Sequence, residues 1–345
     1  MPRAAASFAA PRSTLQLTLA LSLLGASQRG ASAKPPPSAT TARPIIGVLT
    51  LPNDLPPALS TYSSYFLASY VKWLESGGAR VAPIRYDGPP AETRALLASL
   101  NGALLTGGAA AFYDAGGALT QYAATAALIL DESLRAAERG ETWPVWGTCL
   151  GHELLLLLAA GPNASVLTGG FDSEDLPLAL QPAPAATASR LWGSAPPEVW
   201  QWLTSEPITA NFHTMGITPE DFAGSAALAG SFDILSTNVD RAGRPFVSSA
   251  EHKSAPIYTA QFHAEKPAYE FTTLYSSIAH SDHAIHANGW AARFLVNESR
   301  KNGRAFASSD DENDALVYNT ATIFTAPSIK PIWEQVYAFW GGFRQ

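Results

Sequence analysis

The chain has 345 residues, of which 47% are hydrophobic and 15% are charged, so it is long and apolar enough to bury one large core or two ordinary ones. Its net charge is −7 and its lysines and arginines form no cluster, which argues against nucleic acid as a partner. The sequence contains no internal repeat and no segment that predicts a stable membrane anchor.

The first residues have the pattern of a secretory signal peptide. Arg3 and Arg12 precede an apolar, leucine-rich run over 15–26, and Ala-Ser-Ala at 31–33 offers a small-x-small cleavage site. We therefore expect residues 1–33 to be a signal peptide. An organellar transit peptide is the alternative, because the segment has Ser and Arg and no acidic residue; the leucine block favours the secretory route.

A short leader separates this segment from the mature protein. Residues 34–42 contain three consecutive prolines and predict an unstructured leader, followed by a single domain over 43–345. The sequons at Asn163 and Asn297 agree with passage through the secretory pathway. The expected location is extracellular or in a lysosome or vacuole.

In the first half of the chain, apolar runs typical of buried strands alternate with segments of helical periodicity. The predicted strands are 44–51, 80–84, 102–105 and 144–146, and the predicted helices are 64–76, 91–100 and 120–139. This alternation predicts an α/β fold with a parallel, doubly wound sheet, in which functional sites lie beyond the carboxyl ends of the strands.

The second half is less regular. Residues 171–181 show no clear period, and 182–189 are rich in small residues and predict a loop. Strands are predicted over 207–212, 231–237, 245–249 and 256–262, and a helix over 284–302.

The stretch 144–153 predicts a short strand, a tight turn and the start of a helix, with Cys149 at the turn between Gly147 and Gly151. This Gly-x-Cys-x-Gly pattern is typical of a nucleophile elbow, whose strained turn needs small neighbours. The N-terminus of the apolar helix over 154–160 would favour a thiolate. Cys149 is the only cysteine in the chain. The alternative is a small buried core cysteine.

A histidine and a glutamate that could assist a cysteine nucleophile follow later in the chain. His263 and Glu265 are two residues apart at the end of a predicted strand, so their side chains would point to the same side. Glu265 would fix the imidazole, leaving Nε2 to take the thiol proton of Cys149. The alternative is a solvated strand end. The backbone N–H groups of Leu150 and Gly108 are the candidates for an oxyanion hole.

A second histidine group does not favour a metal site. His280, His283 and His286, with Asp282 nearby, are spaced so that they drift around a helix, and they lack a distal set of partners. A surface loop running into a helix is the better interpretation, and no metal is predicted.

Taken together, these segments resemble the γ-glutamyl hydrolases, the folate-polyglutamate peptidases of the class I glutamine amidotransferase-like fold. The elbow and the His-x-Glu pair suit any member of that fold, whereas Asn-Phe-His at 211–213 and Glu-Lys-Pro-Ala-Tyr-Glu at 265–270 single out the hydrolases. The matching stretches are 43–49, 68–76, 101–108, 144–153, 203–213, 261–270, 294–302 and 333–340.

The resemblance implies a mostly parallel central sheet with helices on both faces and hydrolysis of folate poly-γ-glutamates through a cysteine thioester, without a metal or organic cofactor. It implies Cys149 as nucleophile, His263 as base and proton donor, and Glu265 as the third member. It also implies that three residues line the substrate pocket: His213, Glu153 and Tyr65. We expect His213 to donate a hydrogen bond to a substrate carboxylate or carbonyl; the alternative is a buried structural histidine. One departure is His152, where the family usually has an aromatic residue; a change in pocket polarity or pH response is expected there.

Two other functions remain open from sequence. A glutaminase would release ammonia from glutamine for a synthase, but the predicted signal peptide and the lack of a synthase domain argue against it. A catalytically inactive binding protein of the same fold would have no need of the Cys, His and Glu set. The sequence leaves the choice between monomer and homodimer open, and that between endo- and exo-cleavage.

Overall fold

A computed structural model describes residues 40–55, 57–161, 164–325 and 333–341. The predicted signal peptide, most of the leader and the sequon at Asn163 lie outside these residues. Thr41 already bonds to the body of the protein through its N–H, which donates to the carbonyl of Arg300 at 3.0 Å. In the part of the chain that is described, no helix is both long and apolar enough to cross a membrane.

The elements are numbered here in chain order. The strands are β1 Ile45–Leu49, β2 Leu51–Pro52, β3 Ser64–Leu67, β4 Arg80–Ile84, β5 Gly102–Leu105, β6 Val145–Thr148, β7 Thr168–Leu178, β8 Gln181–Pro182, β9 Thr209–Gly216, β10 Phe232–Val239, β11 Pro245–His252, β12 Ile257–Ala260, β13 Thr322–Phe324 and β14 Gln335–Phe339. The helices are α1 Ala68–Ser76, α2 Pro90–Ser99, α3 Gln121–Glu138, α4 Leu150–Ala160, α5 Arg190–Gly193, α6 Pro197–Ser205, α7 Pro219–Gly224, α8 Ala226–Ser231, α9 Lys266–Tyr269, α10 Asp282–Ser299 and α11 Ser309–Ala315.

The central sheet has the strand order β4-β1-β5-β6-β12-β11-β10-β8. The first five strands pair in parallel, and β11, β10 and β8 extend the sheet with antiparallel pairs. All residues of β1, β5 and β6 are buried, as expected for parallel strands that are covered on both faces. The predicted α/β class with a mostly parallel sheet is confirmed.

Two sets of helices cover this sheet. Helix α10 packs against α1 and α6, whereas α3 packs against α2 and α4. In α4 the apolar run continues through Leu154, Leu155, Leu156 and Leu157, all of which are buried. An apolar helix of this kind fits only in the interior, and α4 therefore fixes the turn at its N-terminus firmly against the sheet.

Residues 64–76 do not form the single predicted helix. Their first four residues form β3, which pairs antiparallel with β14 from the far end of the chain, and α1 begins only at Ala68. The helical spacing of Phe66, Leu67 and Tyr70 is real, but a strand partner more than 250 residues away decides the backbone. Strands β13, β14, β3 and β2 form a second, four-stranded sheet.

The stretch without a clear period is also a strand. Residues 171–181 fall mainly in β7, which pairs antiparallel with β9 in an irregular register, and Asp175 within it has a φ of 51°. Such shifts break the alternation of buried and exposed side chains, which explains the missing period. Strand β9 runs four residues beyond the predicted end at Phe212 and carries His213.

Candidate active site

The turn at Cys149 has the geometry of a nucleophile elbow. Strand β6 ends at Thr148, Cys149 has a φ of 49° and a ψ of −106°, and α4 begins at the next residue. A Cβ on Gly147 would lie 2.6 Å from the carbonyl oxygen of Gly151, and one on Gly151 would lie 2.4 Å from that of Leu105. Both glycines are therefore needed for close approach, and the strain at Cys149 is held by the packed elements on either side.

The sulfur of Cys149 is buried among polar backbone groups. Its Sγ lies 3.8 Å from the carbonyl oxygen of Phe212, which accepts from the thiol. Burial raises the pKa of Cys149 well above its ordinary value; the charge of Glu153 raises it further, while the N–H of Leu150 lowers it. The expectation of a resting thiolate is therefore wrong. Desolvation outweighs the helix N-terminus, so the resting group is a thiol that needs a base.

His263 and Glu265 form the expected pair, although they do not lie on a strand. His263 Nδ1 lies 2.7 Å from Glu265 Oε1, and both side chains are buried. Strand β12 ends at Ala260, so the pair occupies the bend before α9 rather than alternate positions of a strand. Burial alone would raise the pKa of Glu265, but the adjacent His263 and then Lys266 lower it, so the carboxylate is ionised.

Tyr70, which no sequence motif marks as a site residue, joins this pair to the turn at Gly107. Its hydroxyl accepts the N–H of Gly107 at 2.8 Å and lies 3.2 Å from His263 Nδ1. A Cβ on Gly107 would lie 2.4 Å from Cε1 of His263 and 3.2 Å from Cβ of Cys149, so the turn, the imidazole and the nucleophile meet here. From sequence, Tyr70 fits the apolar face of the helix predicted over 64–76, and its spacing carries no sign of a role in the site.

Two adjoining cavities border the nucleophile. The smaller chamber has a volume of about 140 Å³ and the larger chamber about 600 Å³, and they share Gly108, Cys149, Glu174 and Phe212. The smaller chamber is further lined by Leu51, Tyr65, Leu67, Gly107, His263, Lys266, Tyr275 and Trp333. The larger chamber is further lined by Asp54, Ala109, Ala110, Ala111, Leu150, Glu153, His213, Thr214 and Met215.

His213 lies in the larger chamber in a defined tautomer. Its Nδ1 lies 2.7 Å from the carbonyl oxygen of Met215, which can only accept, so Nδ1 carries the proton. Burial lowers the pKa of His213 to about 4, so the ring is neutral near pH 7. Its buried Nε2 has no protein partner among the described residues and is a hydrogen-bond acceptor. The expectation that His213 donates to the substrate is therefore wrong at neutral pH.

Glu153 lies in the same chamber, on the first turn of α4. Its Oε1 accepts from Gln261 Nε2 at 2.9 Å. Burial raises the pKa of Glu153 to about 7, against the smaller opposing effect of Gln261. The larger chamber therefore gains a negative charge as the pH rises through neutrality.

The predicted residue Tyr65 lies in the smaller chamber instead, where its ring packs against Trp333 with 5.7 Å between centroids. Gly108 borders both chambers, and its left-handed φ of 146° lets the backbone pass beside Leu51. Five of the six residues predicted around Cys149 and His263 thus line one or both chambers, and the sixth, Glu265, bonds to His263.

His152 does not line either chamber. It is fully buried, and both ring nitrogens lack a protein partner among the described residues. Burial and the nearby His213 lower its pKa to about 3. The expected influence on pH response is therefore wrong for the neutral range, because the ring stays uncharged there.

The three histidines near α10 have separate partners. His280 Nδ1 lies 2.8 Å from the carbonyl oxygen of Pro267, and His283 Nδ1 lies 2.8 Å from Glu206. His283 also stacks on Trp202, which His286 meets edge-on. Within the described ranges, no three or more His, Cys, Asp or Glu side chains gather as a metal site would require.

Together, the parallel sheet, the strained cysteine turn and the neighbouring His–Glu pair define a cysteine-type hydrolase of the class I glutamine amidotransferase-like fold. The Peptidase C26 profile matches residues 44–265, and the chain belongs to that family.

Several curated relatives are similar along most of their length. A gamma-glutamyl hydrolase of Mus musculus is 36% identical over 322 residues, which cover 93% of this chain and 96% of the relative. That of Bos taurus is 37% identical, with 89% and 93% covered, and gamma-glutamyl hydrolase 1 of Arabidopsis thaliana is 36% identical, with 75% and 72% covered. Among solved structures, the glutaminase domain of Trypanosoma brucei CTPS with bound acivicin has a TM-score of 0.47 at 13% identity, with 75% of this chain and 94% of that chain covered.

Proposed function

We propose that this protein hydrolyses γ-glutamyl bonds and that folate poly-γ-glutamates are its substrates. The observation that carries the proposal is the position of Cys149, on a strained turn that borders two adjoining chambers and lies near the buried His263–Glu265 pair. A nucleophile that borders two adjoining cavities suits a substrate that continues on both sides of the cleaved bond. The names of the relatives support the same bond specificity.

The proposed reaction starts with a thiol. His263 Nε2 takes the proton of Cys149 as the sulfur attacks the γ-carbonyl carbon, and Glu265 holds Nδ1–H and stabilises the imidazolium. The C–N bond then breaks, and His263 returns its proton to the departing amine. Water, deprotonated by His263, attacks the thioester, and the C–S bond breaks to regenerate Cys149 and release the γ-carboxylate.

The developing oxyanion would accept hydrogen bonds from the backbone N–H groups of Leu150 and Gly108. The N–H of Leu150 already lowers the pKa of the Cys149 thiol. Gly108 borders both chambers, as Cys149 does. Fixed donors at this position stabilise the transition state more than the ground state. Every step uses groups of the chain itself, so we propose no cofactor.

Substrate contacts are proposed for three further residues. His213 Nε2 would accept an N–H of the substrate, because its own proton is on Nδ1. Glu153 would act in the same chamber as a protonated carboxyl below about pH 7. Tyr65 and the neighbouring ring of Trp333 would give the smaller chamber an apolar wall.

Incubation with pteroylpentaglutamate, followed by separation of the products, tests the proposal. We expect glutamate or short γ-glutamyl peptides to be released, and little ammonia from free glutamine under the same conditions. Fast ammonia release without cleavage of the pentaglutamate would favour the glutaminase. No turnover of either compound, together with a Cys149 that iodoacetamide does not alkylate, would favour an inactive binding protein.

We also propose passage through the secretory pathway to the extracellular space, a lysosome or a vacuole. Asn297 is exposed on α10, where its Oδ1 accepts from Arg300, so the acceptor asparagine of the sequon can be reached by solvent, although Ser299 of the same sequon is buried. Protein made in a secretory host should begin near Lys34 and lose mass on endoglycosidase treatment. A mature chain that retains Met1, with no loss of mass, would contradict this proposal.

A further inference from the structure

Tyr275 stands at the mouth of the smaller chamber. It belongs to the connection between α9 and α10, lines the chamber and is partly exposed, so it contacts both the cavity and solvent. Its ring packs edge-on against Phe212 with 4.8 Å between centroids, and its hydroxyl donates to Glu174, which is exposed on β7. Phe212 also contacts Cys149 through its carbonyl oxygen, so a single residue links Tyr275 to the nucleophile.

A neighbouring strand holds this connection in place. Ser277 bonds to Asp175 on β7: its hydroxyl lies 2.9 Å from the carbonyl oxygen and close to the carboxylate, and its backbone nitrogen lies 3.4 Å from the same carboxylate. Asp175 has a left-handed φ of 51°, and its carbonyl also accepts from Arg241 at 2.8 Å. A residue other than glycine is strained there and persists only where its surroundings fix it. The irregular part of β7 thus anchors the loop that carries Tyr275.

The space behind Tyr275 is small. The smaller chamber has about 140 Å³ and the larger about 600 Å³, whereas pockets for drug-sized ligands begin at about 300 Å³. Whichever bond of a pteroyl polyglutamate is cut, the acyl side keeps the bulky pteroyl group, while the leaving side can be a single glutamate. Only the leaving side can therefore lie wholly within the smaller chamber. A second unit would have to pass Tyr275 and bring another carboxylate beside Glu174, where like charges repel.

We propose that Tyr275 limits the leaving side of the substrate to one glutamyl unit, so that the protein removes terminal glutamates one at a time. This inference rests on the proposed function and adds to it the length of the piece that is released. The ring acts by occupying space at the mouth of the chamber, and its contact with Phe212 and the anchored loop keep it there. The chemistry at Cys149 is the same for every γ-glutamyl bond, so Tyr275 determines which bond is cut.

The first products formed from γ-linked pteroylpentaglutamate test this role in the full chain. The wild type should release free glutamate and pteroyltetraglutamate, with little γ-glutamylglutamate. Tyr275→Ala opens the mouth, and we expect the ratio of di- and longer glutamyl peptides to glutamate to rise about tenfold or more, as for other changes of pocket size. Tyr275→Phe keeps the ring and should keep the wild-type products. Phe271→Ala, at a position of the same loop that is 57% exposed, is the matched control and should also keep them.

Tyr275→Ala with the product pattern of the wild type would overturn the proposal. Tyr275→Phe with the pattern of Tyr275→Ala would also overturn it, because the bond to Glu174, and not the ring, would then set the limit. The wild type tests the inference without any variant: release of γ-linked di- or triglutamate first would contradict it and leave the proposed function intact. A wild type that cleaves no pentaglutamate at all would remove the proposed function and this proposal with it.

Discussion

The two chambers beside Cys149 share a wall but differ in charge. The smaller chamber holds the ammonium of Lys266 and the tilted, contacting rings of Tyr65 and Trp333. The larger chamber has no lysine or arginine among its described lining residues; it holds Asp54, Glu153 and Glu174, with His213 neutral. The smaller chamber thus offers an anion the ammonium of Lys266, whereas the larger chamber is acidic and offers the neutral ring of His213 as a hydrogen-bonding group.

This difference has a consequence for a polyanionic chain. Binding in the smaller chamber should weaken on loss of substrate charge, whereas binding in the larger chamber should depend on the protonation of Glu153 and on the tautomer of His213. Both chambers depend on the same nucleophile. Substitutions at the shared centre should therefore abolish turnover, while those within one chamber should alter specificity or pH dependence.

The largest effect is expected at the shared centre. His263→Asn keeps an amide near the position of Nδ1, so it can still bond to Glu265, but it removes the base at Nε2. We expect kcat on a γ-linked substrate to fall by about 10³-fold, in the range for loss of a general base. His286→Asn, at an exposed position on α10, is the control and should match the wild type. A loss below tenfold in His263→Asn would exclude His263 as the base.

In the larger chamber, a matched pair tests the tautomer of His213. His213→Asn retains a group that can donate to the carbonyl of Met215 but loses the acceptor at Nε2, whereas His213→Gln places an amide oxygen near Nε2. We expect kcat/KM to fall about 100-fold in the Asn variant and clearly less in the Gln variant. Equal losses in both would show that Nε2 is not the acceptor that matters.

Tyr70 lies where the walls of the smaller chamber meet the catalytic pair. Tyr70→Phe leaves the buried N–H of Gly107 without its acceptor, and we expect kcat to fall about tenfold with KM nearly unchanged. Tyr258→Phe is the control, because that buried hydroxyl bonds to Glu298 away from the site. Thermal unfolding should report similar destabilisation in the two variants. A kcat in Tyr70→Phe no lower than in Tyr258→Phe would mean that Tyr70 only stabilises the fold.

The smallest expected effect is a change of KM with pH. Because the raised pKa of Glu153 is about 7, its carboxyl is neutral below that pH and negative above it, next to an anionic substrate. The KM of the wild type should therefore rise a few-fold between about pH 6 and 8, by the order of one weakly screened charge pair. Glu153→Gln should remove this rise. A KM that rises equally in the variant would assign the titration to another group.

Local sequence patterns were sufficient to predict the strands of the parallel half of the fold. The runs over 80–84 and 102–105 coincide with β4 and β5, and the glycines flanking Cys149 predict the elbow because only glycine fits there. Strand β3 escaped detection because its pairing depends on β14, which no local window contains. Strand β7 also escaped detection, because its register shifts remove the alternation of buried and exposed side chains.

The candidate site, like the fold, was only partly predictable from local sequence. The residue types and spacing of Cys149, His263 and Glu265 predicted which groups meet, but not that the last two lie past the end of β12. Tyr70 and Lys266 were missed as individual site residues. Their importance comes from burial and from neighbours distant in sequence, and a tyrosine on a helix face or a lysine after a motif carries no local signal of either.

The central claim is that Cys149 hydrolyses γ-glutamyl bonds, and a pair of isomers tests it most directly. Pteroyltriglutamates that are γ-linked or α-linked have the same mass and charge, so they differ only in where the amide carbonyl and the free carboxylate sit. The account predicts that wild-type protein cleaves the γ-linked isomer and leaves the α-linked one intact, and that Cys149→Ala cleaves neither. Equal cleavage of both isomers, or activity in Cys149→Ala within about tenfold of the wild type, a difference of roughly 1.4 kcal/mol in barrier, would contradict it.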